Sequence, residues 1–145
     1  MQEFKGNMET IDCFDGEFDW LSNFFPCKVE FEGMLFQSSE SAFQASKTLD
    51  MEERRKFTEF HAGKSKRKGK KLVLRSDWDQ VKIGVMKDIL KCKFSQNPEL
   101  KQKLIDTGNA EIIEGNDWFD TFWGVCKGKG ENHLGKLLML IRKEI

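Results

Sequence analysis

The chain has 145 residues, of which 39% are hydrophobic and 33% are charged, and its formal net charge is zero, so no whole-molecule field favours nucleic acid. This length fits one compact domain with one core, and we expect a single domain over residues 1–145. The sequence contains no apolar run near the ~20 residues of a membrane helix. Its first residues, "MQEFKGNMET", lack the pattern of a signal peptide. We therefore expect a cytoplasmic protein with no membrane partner.

The first predicted elements are a hairpin and a helix. Residues 27–31, "CKVEF", alternate polar and apolar side chains, and the turn pair "EG" separates them from "MLF". This pattern predicts a short hairpin. Ser38 or Ser39 can then cap a helix that runs to about Thr48.

Two more helices are predicted before the middle of the chain. The first starts at Asp50, has Glu53 in position to complete a capping box, and stops near Gly63. The second is short and basic and runs from Ser65 to about Leu72.

The longest helix is predicted from about 78 to 95 with Asp77 as its cap, because apolar residues recur there at helical spacing. Pro98 suits the first position of the next helix, which Gly108 closes. A short strand in "AEIIEG" and a last helix over about 132–143 complete the chain. Together these elements predict an α+β domain that is mostly helical, with a small sheet or hairpin.

The cysteines are scattered and form no C-x-x-C pair, which predicts free and mostly buried thiols rather than disulfides. They are Cys13, Cys27, Cys92 and Cys126. With only two histidines and no clustered thiols, we expect no metal site and no cofactor. Thirteen Phe and four Trp without any Tyr predict an aromatic core that can also contain a stacking site for a flat ligand.

The segment "QSSESAFQASK" places Glu40 in the first turn of a predicted helix. An acid at this position commonly meets the positive end of the helix dipole, which is a structural role. Phe43 and Lys47 follow at spacings that bring them to the same side of the helix as Glu40. Such a stripe could instead face a pocket, and both interpretations stay open.

Trp78 and Asp120 also have both a structural and a chemical interpretation. Trp78 starts the longest helix, where it suits a core anchor. Asp120 lies in "DWFDTFWG" among four aromatic rings, and turns favour Asp as a local cap. We expect the rings to bury its surroundings, and a carboxylate beside apolar rings has its charged form disfavoured, as in tuned acids and bases.

Two segments could bind phosphate. "KSKRKGKK", residues 64–71, is the strongest run of charge and predicts either a solvated helix face or a surface for DNA, RNA or a nucleotide. "GKGENHLG", residues 128–135, precedes the last helix, whose first backbone amides could hold a phosphate. It lacks the lysine and Ser/Thr spacing of a P-loop.

Five segments follow one another along the chain: "WLSNFFP", "SSESAFQASK", "LRSDWDQVKIGVMKDILKCKF", "LIDTGNAEIIEGNDWFDTFWG" and "GKGENHLGKLLMLIR". In this order they resemble the YbiA-like, or NADAR, family from about residue 12 to the C-terminus. The resemblance implies a YbiA-like fold and an N-glycosidase that acts on ribosylated bases without a metal. The implied substrates are either ADP-ribosylated guanine, in DNA or a nucleotide, or ribosylaminopyrimidine phosphates of the riboflavin pathway.

The resemblance also implies a catalytic set of Glu40, Trp78 and Asp120. We expect Glu40 beside the ribose and the water, Asp120 to orient or protonate the leaving base, and Trp78 to stack on that base. The sequence alone does not separate the roles of the two carboxylates. The residues expected to bind substrate are Ser22, Asn23, Phe43, Lys47, Trp123, Gly124 and Asn132. The residues expected to hold phosphate are Lys66, Lys70 and Arg75.

The chain departs from the family pattern at two places. The position after Glu40 is Ser41, where His is common in the family, and the basic helix that usually reads A-K-x-x-G-R differs as well. Its matching residues here are Ser65, Lys66, Gly69 and Lys70. The additional lysines fit ADP-ribosylated DNA, bound through residues 64–71, better than a small metabolite.

Two other functions stay open. One is a non-catalytic module that binds ADP-ribose or a nucleotide, and the other is a nucleic-acid-binding protein that uses the basic helix. The sequence sets no oligomeric state.

Overall fold

The computed structural model describes residues 10–145. The segment "MQEFKGNMET", on which the predicted absence of a signal peptide rests, lies outside these residues except for Thr10. The chain divides into two compact units. We call Asn23–Asn97 the central unit, and we call the residues up to Ser22 together with Pro98–Ile145 the terminal unit. The single domain expected from the length stays a prediction.

Helices dominate the described residues and the strands are short, which confirms the α+β class. The helices are α1 (Ser39–Ala45), α2 (Met51–Lys56), α3 (Ala62–Gly69), α4 (Trp78–Gln96), α5 (Pro98–Asp106) and α6 (His133–Glu144). Short 3-10 helices cover Gly16–Leu21 and Phe57–Glu59. The strands are β1 (Thr10–Ile11), β2 (Val29–Phe31), β3 (Met34–Phe36), β4 (Glu111–Ile112), β5 (Gly115–Asn116) and β6 (Val125–Cys126).

In the central unit, β2 and β3 form the predicted antiparallel hairpin, with Val29 opposite Phe36. Its turn has Glu32 at φ 49° and Gly33 at φ 84°. Two successive left-handed residues are what a two-residue hairpin turn requires. Val29 and Phe36 are buried, and α4 packs against β2. The inner face of the hairpin therefore joins the core of the central unit.

Helix α1 is buried over its whole length and contacts α3 and α4. Ser38 caps it by accepting a hydrogen bond from the Ser41 amide at 3.1 Å. Buried hydroxyls hold α3 against it, because Ser41 Oγ lies 2.7 Å from Ser65 Oγ and donates to the Phe60 carbonyl at 2.9 Å. The helix ends at Ala45, earlier than predicted, and a tight turn follows.

The predicted helix that starts at Asp50 is wrong beyond Lys56, where α2 ends. A 3-10 turn follows and buries Phe57, which interrupts the helical spacing. His61 then caps α3 by accepting a hydrogen bond through Nδ1 from an amide of its first turn. Helix α3 therefore covers Ala62–Gly69 and begins and ends earlier than predicted.

Two predicted caps have different partners in the structure. Asp50 caps α2 through Oδ1, but Glu53 pairs with Lys56 at 2.8 Å instead of completing a capping box. Asp77 precedes α4 without making the predicted side-chain cap. Its carboxylate binds Arg75 Nε at 2.6 Å and Nη2 at 3.1 Å, a bidentate pair of opposite charges that makes two directed bonds at once.

In the terminal unit, β1 pairs with β4 and β5 pairs with β6, both in parallel. The predicted strand "AEIIEG" contains β4 and the first residue of β5. Helix α5 begins at Pro98 as predicted, and Gly108 follows its end at φ 63°. Helix α6 contacts β4 and buries the apolar side predicted for it. The residues on this side are Leu134, Leu137, Leu138 and Ile141.

The cysteines are free, as predicted, but only Cys126 is buried. Cys13 is exposed and the other two are partly exposed, so the prediction of mostly buried thiols is wrong. Within residues 10–145, no helix combines the length and the apolar character needed to cross a membrane.

Candidate active site

Glu40 lies in the first turn of α1 and is only 8% exposed. Its backbone N–H donates to the Asn23 carbonyl at 3.0 Å, which ties the start of α1 to the segment before the hairpin. A first-turn Glu on a solvated surface would meet only the helix dipole, whereas this one is withdrawn from water. Because burial disfavours a charged carboxylate unless partners satisfy it, the neighbours of Glu40 decide its chemistry.

Gln44, one turn further along α1, is such a partner. Its Nε2 donates to Glu40 Oε2 at 2.6 Å, and both side chains are buried. Gln44 was not among the predicted site residues, although helical side chains four positions apart are neighbours. That spacing was the signal that could have identified it.

Phe43 and Trp78 form an aromatic pair in the central unit. Their ring centroids are 5.1 Å apart with the planes at 51°, and each residue is 6% exposed. Trp78 therefore anchors the start of α4 against α1, as its structural interpretation predicts. Stacking of Trp78 on a ligand, and contact of Phe43 with substrate, stay predictions.

Lys47 follows α1 and is half-buried. Burial lowers the pKa of its amine from the ordinary lysine value, and the negative charge of Glu40 acts in the opposite direction. Three further cations lower the pKa of Lys47 through repulsion, namely Lys66, Lys70 and Lys82. Glu40 and Lys47 therefore interact electrostatically, although Lys47 lies beyond the end of α1 and not on its face as predicted.

Asn23, predicted to bind substrate, ties α1 to α4 through its side chain. Its Oδ1 accepts a hydrogen bond from Ser39 Oγ at 2.8 Å, and its Nδ2 donates to Met86 Sδ at 3.6 Å. These contacts hold the buried turn that carries Glu40. The structure therefore gives Asn23 a supporting role, and its contact with substrate stays a prediction.

Arg75 was predicted to hold phosphate, but its guanidinium is already used. Nε and Nη2 bind the Asp77 carboxylate, and Nη1 donates to the Ser46 carbonyl at 3.4 Å. The carboxylate of Asp77 thus occupies the two guanidinium N–H groups that would bind a phosphate in bidentate fashion. The structure makes Arg75 a tie between the end of α1 and the start of α4, and its contact with phosphate stays a prediction.

The two lysines predicted to hold phosphate lie on or next to α3. Lys66 is half-buried, with Nζ 5.7 Å from the centroid of the Phe24 ring, and Lys70 is exposed. Their phosphate contacts stay predictions. Among the described residues, no group of three or more His, Cys, Asp and Glu side chains is placed to hold a metal ion.

Asp120, in the terminal unit, caps a turn. Its Oδ1 accepts hydrogen bonds from the amides of Phe122 at 3.1 Å and Trp123 at 2.9 Å. Asn116 holds the same loop, because its Nδ2 donates to the Asp120 carbonyl and its Oδ1 accepts from the Asp120 amide. Asn116 was not predicted, although Asn commonly organises turns. The structural role of Asp120 is therefore present, and its chemical role stays a prediction.

The predicted burial around Asp120 is wrong for two of the four neighbouring rings. Trp118 is 56% exposed and Phe119 is 73% exposed. Phe122 and Trp123 are half-buried and pack edge to face with centroids 4.9 Å apart. Consecutive rings point in different directions because the capped turn rotates the backbone between them.

Gly124 was predicted to bind substrate, and the structure gives it a packing role. A Cβ at this position would overlap the carbonyl oxygen and the carboxylate Oε1 of Glu114. It would also lie 2.8 Å from Asn116 Nδ2. Only a glycine allows this approach, so the loop after Asp120 and the buried Glu114 segment depend on it.

Replacing Gly124 by Ala is expected to lower the free energy of unfolding by about 1–3 kcal/mol, because the methyl group overlaps the backbone. Urea denaturation of the variant measures this. The matched control is Gly84→Ala on α4, where nothing lies within 4 Å of the added methyl group and helix propensity predicts a gain of about 0.5–1 kcal/mol. Equal stability of the two variants would contradict the packing role.

Asn132 was predicted to bind substrate, but its side chain is used inside the protein. Nδ2 donates to the Ile112 carbonyl at 2.9 Å, and Oδ1 accepts from the Glu114 amide at 3.0 Å. Asn132 is buried and lies at φ 54° directly before α6. It therefore fixes the start of α6 to β4, and its contact with substrate stays a prediction.

The backbone amides at the start of α6 were predicted to be available for phosphate, and this is wrong. The amides of His133 and Leu134 donate to the carbonyls of Phe122 and Trp123 at 3.2 and 2.9 Å. The amide of Asn132 donates to the Gly124 carbonyl at 3.3 Å. The loop after Asp120 thus takes the donors that a bound anion would need.

Ser22 and Trp123 complete the predicted set, and both are half-buried. The Ser22 amide donates to the Asp19 carbonyl at 3.0 Å and ends a 3-10 helix. The Trp123 ring packs against Phe122 and lies 6.4 Å from the His133 ring. Their contacts with substrate stay predictions.

These features define a mostly helical α+β protein whose central helix buries a single carboxylate with an amide partner. The domain model named NADAR matches residues 13–145. The chain therefore belongs to the NADAR family, which confirms the family expected from the five motifs.

Several relatives are known. The chain is 35% identical over 129 residues to N-glycosidase YbiA of Escherichia coli (strain K12), which is 86% of this chain and 80% of that protein. It is 34% identical over 135 residues to a riboflavin biosynthesis protein of Vibrio vulnificus, which is 90% of this chain but only 36% of that protein. The NMR structure of E. coli YbiA matches with a TM-score of 0.85 and 33% identity, over 94% of this chain and 85% of that one. This match confirms the YbiA-like fold.

Proposed function

We propose that the chain is an N-glycosidase that hydrolyses the bond between a ribose and a nitrogen base. The observation that carries the proposal is the buried Glu40 carboxylate, 2.6 Å from Gln44 Nε2 and in electrostatic contact with Lys47. Burial of a carboxylate beside a directed donor and a cation is an arrangement common at catalytic sites. The name N-glycosidase carried by the relative of this family in E. coli supports the proposal.

Cleavage of the C1′–N bond builds positive charge on the ribose. In the proposal the Glu40 carboxylate stabilises this charge and accepts a proton from the water that attacks C1′. Asp120 orients the departing base or relays a proton to its nitrogen. In either case the hydroxyl of the water bonds to C1′ and the base leaves with the proton that Glu40 took from that water, so atoms and charges balance. Because Oδ1 of Asp120 caps the turn, the proposal uses Oδ2 for the base.

Other residues of the central unit have proposed binding roles. Trp78 stacks on the flat base, since an aromatic face suits any heterocycle. Lys47 places a positive charge near a phosphate of the substrate. The proposal gives no step to a metal or a cofactor.

Two substrate classes are proposed. A ribosylaminopyrimidine phosphate of the riboflavin pathway is supported by the name of the Vibrio vulnificus relative. ADP-ribosylated guanine in DNA is supported by the exposed cations on and beside α3, which suit a phosphate backbone. These cations are Lys64, Arg67, Lys68, Lys70 and Lys71. The free cysteines support a reducing compartment, and we propose the cytoplasm.

Mass spectrometry of released base and sugar tests the function and separates the two substrates. The protein is incubated with DNA that carries ADP-ribosylated guanine and with a ribosylaminopyrimidine phosphate, each at low and at high salt. Release from at least one substrate is expected. Release from DNA that weakens as salt rises would identify the nucleic acid as the substrate. Tight binding of ADP-ribose without any release would contradict hydrolysis and favour a binding module.

A further inference from the structure

Gln44 combines two unusual features. Its Nε2 makes a 2.6 Å hydrogen bond to Glu40 Oε2, while its Oε1 is buried without a hydrogen-bond partner. Within residues 10–145 this oxygen is the one buried side-chain polar atom left in that state. Native proteins rarely leave such atoms unsatisfied, and each case calls for a specific cause.

The cause lies in the two groups that face the amide. An ionised Glu40 carboxylate only accepts hydrogen bonds, so the amide must turn its NH₂ group toward Glu40. The oxygen then has to face α3 at Gly69. A Cβ at position 69 would overlap Gln44 Oε1 and lie 2.7 Å from its Cδ. The absence of a side chain at Gly69 therefore makes the space in which the amide of Gln44 sits.

The distance between the two helices is set by a second contact. Ser41 and Ser65 lie one turn before Gln44 and Gly69 on their respective helices, and their hydroxyls are 2.7 Å apart. Both serines are fully buried. This pair holds α3 against α1, so that Gln44 has little room to move away from Glu40.

We propose that Gln44 is a positioning residue for Glu40: it holds the carboxylate in one orientation and in its ionised form, with Gly69 as the backing surface. The inference rests on the proposed function, because it matters for catalysis only if Glu40 acts on the substrate. Gln44 itself needs no contact with substrate. Oε1 of Gln44 is left without a hydrogen-bond partner because the NH₂ group of the same amide is turned toward Glu40.

Lys47 and the cations that act on it come from three elements. Lys47 follows α1 and interacts with Glu40. Lys66 and Lys70 belong to the α3 side, and Lys82 belongs to α4. Lys47 favours the ionised Glu40 carboxylate through the charge of a long side chain, whereas Gln44 supplies a short, directed hydrogen bond. Gln44→Met therefore leaves these cations in place and tests the directed bond alone, whereas Gln44→Glu also places a like charge beside Glu40.

The test compares Gln44→Met and the isosteric Gln44→Glu with the matched control Gln102→Met. Gln102 also donates to an acid four residues away on a helix, Asp106 at 2.8 Å, but it is exposed. Both Gln44 variants are expected to lower kcat by about 10–100-fold with little change in KM, the range seen when a supporting hydrogen bond is removed. The acid limb of the pH profile should move to higher pH, because loss of the donor raises the pKa of Glu40. The control should change neither quantity.

A readout that does not depend on activity separates this inference from the proposed function. Carbon-13 NMR of labelled glutamate carboxyl groups follows the titration of Glu40, whose signal is assigned by its loss in Glu40→Gln. A higher pKa of Glu40 in folded Gln44→Met supports the positioning role, even if the wild-type protein releases no base from any substrate. An unchanged titration in both folded Gln44 variants would overturn the inference, whatever the outcome for hydrolysis.

Discussion

Glu40→Gln is expected to lower kcat for base release by about 10²–10⁴-fold, while the protein stays folded. The amide has the shape of the carboxylate but neither its charge nor its basicity, so it cannot stabilise the charge on the ribose or accept a proton from water. Rates of base release by mass spectrometry, together with thermal unfolding, measure the two effects separately.

The matched control for this variant is Glu52→Gln. Glu52 also lies in the first turn of a helix, α2, but it is exposed. Both changes remove one interaction with a helix dipole, and only the change at Glu40 removes a buried carboxylate. Similar small effects of the two substitutions would mean that Glu40 has no more than the dipole role.

Asp120→Asn is expected to lower activity by about 10²-fold or more and to leave the unfolding temperature nearly unchanged. An asparagine keeps an Oδ1 that can accept the hydrogen bonds of Phe122 and Trp123, but it loses the acid. Asp120→Ala removes both, so it should cost an additional 0.5–2 kcal/mol or so of stability, which is the range for loss of a side-chain cap.

Activity assays and urea denaturation of these two variants decide between the interpretations of Asp120. A chemical role requires the asparagine variant to be inactive and stable. If that variant is fully active and only the alanine variant is impaired, Asp120 is a turn cap without a part in the reaction.

Local patterns were predictable wherever one residue type determines the backbone. The turn at Glu32-Gly33, the cap at Ser38, and the start of α5 at Pro98 all depend on short-range geometry, and the structure confirms them. The family resemblance added the fold. The turn, the cap and the helix start depend on residues that are close together in the sequence.

Competition between alternative partners for one side chain was not predictable. Asp77 could cap α4 or bind Arg75, and the charged pair prevails. The side chain of Asn132 binds buried backbone groups and ties α6 to β4, a role that its sequence position did not indicate. Phe57 could continue a helix or turn into the core, and its burial ends the helix. A sequence pattern gives the candidates, while the packed structure selects among them.

The complete burial of α1 also has a consequence for the lifetime of the site. A helix of seven residues has almost no stability of its own in water, so the packing of the central unit maintains it. No exposed face is available from which α1 could fray while its neighbours stay in place. Glu40 should therefore lose its geometry only in an opening event that breaks several contacts of the central unit at once. Thermal inactivation would then follow that cooperative opening rather than local motion of Glu40.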